Sequence, residues 1–324
     1  MTRLPGRPTA TDWVSESVGT QVNRAAVLRR LELDVIRRLD GRLTGDHRTA
    51  AYGPGSERAA ARPYQPGDDA RRIDWSLTAR SLTAHVRTTE ADRELETWVL
   101  ADRSASMDFG TAQREKRDVV LGVAAAFGVL TARAGNRFGV MAFGGDALVH
   151  RPAATGRRGM LAGLATLYDC ARQGGTPGPG ADLAAALRTL PRVQPRRGLV
   201  VVVSDFHDDA DWAHALRELT LRQSVIAAVV TDPRDNVLPD VGMLDVVDPE
   251  TGRLLHVQTR SPKLRSRFAE AAQARQDRIH TSIRSTGAAL VSLSTDRDWL
   301  TDVIGFATGR AVIRRTAALQ GVSS

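Results

Sequence analysis

The chain has 324 residues, a net charge of +8 and a pI near 10.7, with 42% hydrophobic and 25% charged residues, as in globular proteins. The lone cysteine, Cys170, excludes an internal disulfide and a thiolate metal site. All of the 45 basic residues except Lys116 and Lys263 are arginines, and they lie among acidic residues rather than in one stripe. We therefore predict no nucleic-acid partner, despite the positive charge.

The chain carries no pattern typical of membrane insertion or export. Its longest apolar stretch, residues 119–132, is too short to span a bilayer and indicates a buried helix. The first residues lack the apolar core of a signal peptide. We predict a cytoplasmic protein without a membrane span.

The N-terminal third is predicted to form a small lobe. Residues 1–22 are expected to be a flexible leader, and apolar residues at helical spacing predict a helix over 27–39 that ends at Gly41. Residues 41–80 indicate irregular or short-stranded structure, and 84–90 alternate as a strand does. The lobe is assigned to residues 23–92.

Short apolar strands alternate with helical segments in the rest of the chain. The predicted strands are 97–102, 138–143, 199–204, 225–230 and 289–293, and the predicted helices lie near 113–133, 158–171, 181–190, 210–222, 262–286 and 296–309. This alternation is typical of an α/β fold with a doubly wound, mostly parallel sheet. We assign it to residues 93–310, followed by a tail at 311–324.

Oxygen-bearing side chains follow two of these strands and occupy one loop. Asp102, Ser104 and Ser106 come after the first strand, Asp205 comes after the third, and Thr176 precedes a helix. Functional groups gather at the carboxyl ends of parallel strands, so we expect these five to converge there, with Asp102 facing solvent. Such oxygen ligands suit Mg²⁺, or Mn²⁺ or Ca²⁺, and few charges leave room for an outside carboxylate.

The D-x-S-x-S pattern at residues 102–106 resembles the metal-ion-dependent adhesion site of von Willebrand factor A-type domains. This resemblance implies a Rossmann-like, von Willebrand factor A-like fold. By the same likeness, Asp102, Ser104 and Ser106 would come from the first loop of the metal site. Thr176 would come from the second loop and Asp205 from the third.

A second stretch resembles a bacterial family. "YQPGDDARRIDWSLTAR" at residues 64–80 is similar to the signature of the domain of unknown function 58 (DUF58) family, and "DRELETWVLAD" at 92–102 and "DPETG" at 248–252 fit it. Members of that family resemble partners of MoxR-type AAA+ ATPases with chaperone-like or maturation roles. The resemblance implies such an ATPase, or its client, as the partner.

The stretch at 64–80 is also a dense cluster of charge. Its residues are Asp68, Asp69, Arg71, Arg72, Asp74, Trp75 and Arg80. One interpretation is a salt-bridged clasp between the lobe and the α/β domain, with Trp75 as its apolar anchor. The other is a partner-docking surface. We favour the clasp.

These patterns favour a non-enzymatic, metal-dependent protein-binding module. One alternative is a Mg²⁺-dependent phosphohydrolase that uses Asp102, but such enzymes place a second Asp where this chain has Ser104, which cannot shuttle a proton near neutral pH. Another is a purely structural domain with a vacant metal site. A phosphate-binding G-x-x-x-x-G-K-[ST] loop is absent from the sequence, so we expect no nucleotide hydrolysis.

Overall fold

The computed structural model describes residues 24–46, 60–65, 73–81, 83–88, 95–111, 114–170, 182–207, 211–247 and 254–306. The helices are α1 (Arg24–Asp46), α2 (Trp75–Ser81), α3 (Lys116–Arg133), α4 (Gly156–Asp169), α5 (Leu183–Val193), α6 (Trp212–Thr220), α7 (Pro233–Asn236), α8 (Pro262–Ser285) and α9 (299–306). The strands are β1 (Ala60–Pro63), β2 (His85–Thr88), β3 (Glu96–Asp102), β4 (Arg137–Phe143), β5 (Val149–Thr155), β6 (Gly198–Ser204), β7 (Ser224–Thr231), β8 (Met243–Val247), β9 (Leu254–Gln258) and β10 (Ala289–Ser294). A short 3₁₀ helix, Ala105–Asp108, follows β3.

Six strands form the central sheet, in the order β10-β7-β6-β3-β4-β5. All neighbouring pairs are parallel except β4 and β5, which are antiparallel. The chain runs from β3 through β4 to β5 in one direction and from β6 through β7 to β10 in the other, so the order reverses between β3 and β6, as it does in doubly wound sheets. The predicted doubly wound, mostly parallel sheet is confirmed.

The core lies on both faces of this sheet, because alternate residues of each strand point to opposite faces. Val99 of β3 and Val201 of β6 pack on one face, with apolar residues of α1, α3, α4 and α9. Leu100 and Val202 pack on the other face, with residues of α5, α6 and α8. Each central strand is therefore apolar along its length.

Helix α1 packs with the α/β domain. Its buried residues include Leu31 and Val35, in the same core cluster as α3. The carboxylate of Glu32, buried in α1, accepts two hydrogen bonds of 2.6 Å from Arg157 in α4. The predicted lobe of residues 23–92 differs here from the structure, whose compact units are Met1–Leu39 with Leu95–Ser324, and Asp40–Glu94. The reason is the apolar face of α1, which is buried in the core cluster that also contains residues of α3 and α4.

The smaller unit contains an antiparallel pair of strands, β1 and β2, and the short helix α2. Asp74 caps α2, because the backbone N–H groups of Ser76 and Leu77 each donate to its Oδ1 at 3.1 Å. The Arg80 side chain donates to the carbonyl of Ser76 at 3.0 Å.

One prediction about this part of the chain is wrong. The first predicted helix does not end at Gly41, since α1 continues to Asp46. Trp75 is 70% exposed, and its role in a clasp or a docking surface stays a prediction. Asp68, Asp69, Arg71 and Arg72 lie outside the described residues, as do the leader 1–22 and the tail 311–324.

Candidate functional site at the carboxyl edge of the sheet

The site begins where β3 ends, at Asp102. Its side chain is buried, with only 6% of the residue exposed, which corrects the expectation that it faces solvent. Oδ1 accepts a hydrogen bond of 2.8 Å from the backbone N–H of Ser104, and Oδ2 accepts one of 2.5 Å from the hydroxyl of Ser204. The strand end and the neighbouring strand β6 thus fix both carboxylate oxygens.

The two serine hydroxyls lie beside this carboxylate. Ser104 Oγ and Ser106 Oγ are 3.1 Å apart, and both residues are only partly buried. The Ser104 side chain also hydrogen-bonds to Asp102, and the Ser106 side chain hydrogen-bonds to Asp205. The structure therefore brings four of the predicted residues into one network, whereas Thr176 lies outside the described residues.

Gly144 closes the site from the end of β4. A Cβ atom at this position would lie 2.5 Å from the Ser104 nitrogen and 2.9 Å from Asp102 Oδ1. Its φ of +80° is a conformation that glycine adopts without penalty. The missing side chain lets the backbone approach the Asp102 carboxylate closely.

Asp205 follows β6 and is 3% exposed. The next residue, Phe206, has a φ of 57°, which is uncommon for a residue with a side chain. Its ring is buried against Trp212, with ring centroids 5.1 Å apart, and its N–H donates to Ser204 Oγ at 2.9 Å. These contacts hold the third loop in a strained turn directly after the aspartate.

A buried lysine that the sequence motifs did not indicate contacts Asp205. Nζ of Lys116, at the start of α3, lies 3.2 Å from Asp205 Oδ2 and 2.9 Å from Asp235 Oδ2. Lys116 is 2% exposed. The signal in the sequence was its identity, since it is one of two lysines in a chain whose other basic residues are arginines.

The two aspartates have opposite electrostatic environments. Burial and the charge of Asp205 raise the pKa of Asp102 to about 7. Burial alone would raise the pKa of Asp205 too, but the Lys116 ammonium, His207 and Ser106 lower it below its ordinary value. Without an added cation, Asp205 is the carboxylate that stays ionised, whereas burial and the charge of Asp205 favour the protonated form of Asp102.

A further aspartate lies at the same edge, at the end of β7. Asp232 is fully buried and accepts hydrogen bonds from the backbone and hydroxyl of Thr111, the hydroxyl of Thr295 and the backbone of Arg234. Burial opposes ionisation, but these donors lower the pKa of Asp232 overall. Its oxygens are thus occupied by protein donors, and we assign it a structural role.

Comparison with known proteins identifies the family. The model of the family described as "Protein of unknown function DUF58" matches residues 60–278. The chain belongs to the DUF58 family. This DUF58 chain is 46% identical over 300 residues to the uncharacterized protein Rv1480 of Mycobacterium tuberculosis, covering 92% of each chain. It is 38% identical over 170 residues to the uncharacterized protein MAV169 of Mycobacterium avium, covering 52% of this chain and 96% of that one.

Solved structures also resemble this DUF58 chain. BatB from Bacteroides thetaiotaomicron has a TM-score of 0.38 at 13% identity, covering 66% of this chain and 99% of that one. The SpRpn10 VWA domain has a TM-score of 0.36 at 15% identity, with 65% and 94% covered. Proximal thread matrix protein 1 of the mussel byssus, with a zinc-occupied MIDAS motif, has a TM-score of 0.30 at 17% identity, with 44% and 39% covered.

Two further properties of the described residues concern membranes and metal ions. None of the helices described there is long and apolar enough to cross a membrane. In the same parts of the chain, no group of three or more His, Cys, Asp and Glu side chains is arranged to hold a metal ion. Any cation at the carboxyl edge would therefore depend on serine hydroxyls as well as carboxylates.

Proposed function

We propose that this chain is a non-enzymatic protein-binding module in which a divalent cation at the carboxyl edge accepts an acidic residue of a partner. The observation that carries the proposal is the network of Asp102, Ser104, Ser106 and Asp205, with two partly exposed hydroxyls beside a buried carboxylate. Carboxylate and hydroxyl oxygens are hard ligands of the kind that Mg²⁺ prefers.

The electrostatics of Asp102 support a cation at this position. Its ionised form is disfavoured by burial and by Asp205, and a nearby positive charge would relieve both effects. Asp102, Ser104 and Ser106 would hold the cation from one loop. Because these residues supply a single carboxylate, they would neutralise the charge of the cation only in part. A carboxylate from a partner would complete the neutralisation.

A metal titration tests this proposal. Mg²⁺ or Mn²⁺ added to chelator-treated protein should raise the melting temperature, because a ligand that binds only the folded state stabilises it by mass action. Asp102→Ala should abolish the rise, while Asp146→Ala, a control in the loop after β4, should keep it. A melting temperature that does not respond at millimolar metal would contradict a metal site.

The finer parts of the proposal concern partner and location. We propose a MoxR-type AAA+ ATPase or its client as the partner, on the basis of the family resemblance of residues 64–80. We propose the cytoplasm as the location, on the basis of the single free thiol, Cys170. Purification of the tagged protein from its own cells, with and without chelator, tests the partner. Recovery of the same ATPase under both conditions would argue against a metal-bridged contact.

The absence of catalysis is part of the proposal and has its own test. Ser104 occupies the position at which an aspartate phosphatase needs an acid or base, so protein with Mg²⁺ should release no phosphate from ATP or a generic phosphoester. Phosphate release that disappears in Asp102→Asn would establish the phosphohydrolase instead.

A further inference from the structure

The positive charge of Lys116 lies inside the candidate metal site rather than on its surface. Its ammonium donates to Asp205 Oδ2 at 3.2 Å and pairs with Asp235 Oδ2 at 2.9 Å. The residue is 2% exposed, so a partner protein cannot reach the ammonium. Its effect on binding must therefore pass through the groups that it contacts.

Lys116 is charged where it lies. Burial by itself would lower the pKa of its ammonium, but the Asp205 and Asp235 carboxylates raise it overall. A buried ammonium is costly unless it is paired and hydrogen-bonded, and these two carboxylates provide that pairing. Asp235 is itself held in place, since its Oδ2 also accepts the backbone N–H of Asp232 at 2.8 Å.

We propose that Lys116 is an internal counter-cation that holds Asp205 and keeps the affinity of the site for a divalent cation low, so that tight occupancy requires the carboxylate of a partner. This inference rests on the proposed function and adds its regulation. Asp205 is one of the two carboxylates predicted to serve the metal, and Lys116 neutralises it. A second cation nearby is also repelled by the ammonium, and that repulsion is strong where water is excluded.

A purely structural role for Lys116 is the competing interpretation. Lys116 begins α3 and Asp235 lies in α7, so the ion pair also joins two helices. A structural role predicts that loss of Lys116 lowers stability and leaves metal affinity unchanged. A counter-cation role predicts that metal affinity rises.

The decisive variant removes the Lys116 ammonium together with one of its two carboxylate partners, so that only Asp205 loses its cation. Lys116→Met keeps the length of the side chain but leaves the buried Asp205 and the half-buried Asp235 without their cation, which can prevent folding. Adding Asp235→Asn removes one of those carboxylates and keeps an oxygen for the Asp232 N–H. The double variant K116M/D235N has the net charge of the wild type and leaves Asp205 free.

The experiment is calorimetric titration of the full-length chain with MgCl₂ alone, with circular dichroism to confirm folding. We expect Mg²⁺ affinity to increase at least about tenfold in K116M/D235N, because a neighbouring positive charge has been removed. Asp235→Asn alone should bind Mg²⁺ no more tightly than the wild type. Lys263→Met removes the other lysine, which is exposed on α8, and should change the affinity less than about twofold.

The outcomes separate this inference from the proposed function. Wild-type binding that is lost in Asp102→Ala, with no gain in K116M/D235N, would overturn the counter-cation and leave the metal site standing. Tighter binding by K116M/D235N than by the wild type would support the counter-cation, including the case in which wild-type binding is too weak to detect without a partner carboxylate. Binding by neither protein would overturn both.

Discussion

Replacing Gly144 by alanine would place a methyl group where the structure has no room for one. The new Cβ would lie 2.5 Å from the nitrogen of Ser104 and 2.9 Å from both its Cα and Asp102 Oδ1. Neither neighbour can move freely, because the Ser104 N–H donates to that same Asp102 oxygen at 2.8 Å. The substitution therefore strains the first loop of the candidate site directly.

The loss of stability expected for Gly144→Ala has two parts. A residue with a side chain at a φ of +80° costs about 1–2 kcal/mol in backbone strain, and forcing an extra methyl into a packed site costs about 1–3 kcal/mol more. The lower entropy of the unfolded alanine chain offsets about 0.5 kcal/mol of this. We expect Gly144→Ala to lower the free energy of unfolding by about 2–4 kcal/mol.

A second glycine provides the matched control. Gly135 has a φ of +73°, but a Cβ atom built there would meet nothing within 4 Å. Gly135→Ala should therefore show the backbone strain alone, about 1 kcal/mol. The difference between the two variants measures the close approach at Asp102.

Urea unfolding followed by circular dichroism gives both free energies, and calorimetric titration with Mg²⁺ gives the effect on the site. Gly144→Ala should also bind Mg²⁺ more weakly than Gly135→Ala, since the methyl group displaces a ligand loop. Equal destabilisation in the two variants, with equal metal affinity, would refute the role assigned to Gly144.

Three further predictions follow from burial and charge. The pKa of Asp102 is raised from 3.8 to about 7, so the folded protein binds this proton more tightly than the unfolded chain, and the stability that the bound proton contributes is lost as the pH rises between these two values. In chelator, the stability of Asp102→Asn relative to the wild type should therefore increase over this pH range and level off above it. A constant difference in stability would contradict the raised pKa. Arg157→Met should lower the free energy of unfolding more than Arg24→Met does, because it leaves the buried Glu32 carboxylate unpaired, whereas Arg24→Met breaks an ion pair whose two partners are both exposed. Equal losses in urea unfolding would count against this assignment. Trp75→Ala should change the free energy of unfolding by less than about 0.5 kcal/mol, because Trp75 is exposed. A larger loss of stability in the same assay would support Trp75 as the apolar anchor of a clasp.

The sequence predicted the strands that are buried on both faces, but it missed β5, β8 and β9. The sequences of β3, β6 and β7 are continuous apolar runs, because a strand that is buried on both faces needs apolar residues at successive positions. In β5, by contrast, only Ala153 is buried, and the described residues of β8 and β9 are exposed or half-buried. Such strands carry little hydrophobic pattern, so their pairing depends on backbone hydrogen bonds that the sequence does not reveal.

The candidate site was predictable where it is local and not where it is assembled. Every second position after one strand carries an oxygen ligand, namely Asp102, Ser104 and Ser106, and this spacing indicates a shared loop. Lys116 and Asp205 are 89 positions apart, and only the fold brings them together. The burial of Asp102 likewise depends on Ser204 from a neighbouring strand, which the pattern around residue 102 does not contain.

The place of α1 in the molecule has a consequence for synthesis in the cell. Leu31 and Val35 are completely buried in the finished protein, yet the ion-pair partners of this helix occur far later in the chain: Arg157 lies 125 residues after Glu32, and Asp298 lies 260 residues after Arg38. The ribosome therefore releases a helix with one apolar face long before its partners are translated. During that interval α1 is exposed to aggregation and to proteases, and a nascent-chain chaperone that covers it would raise the yield of folded protein.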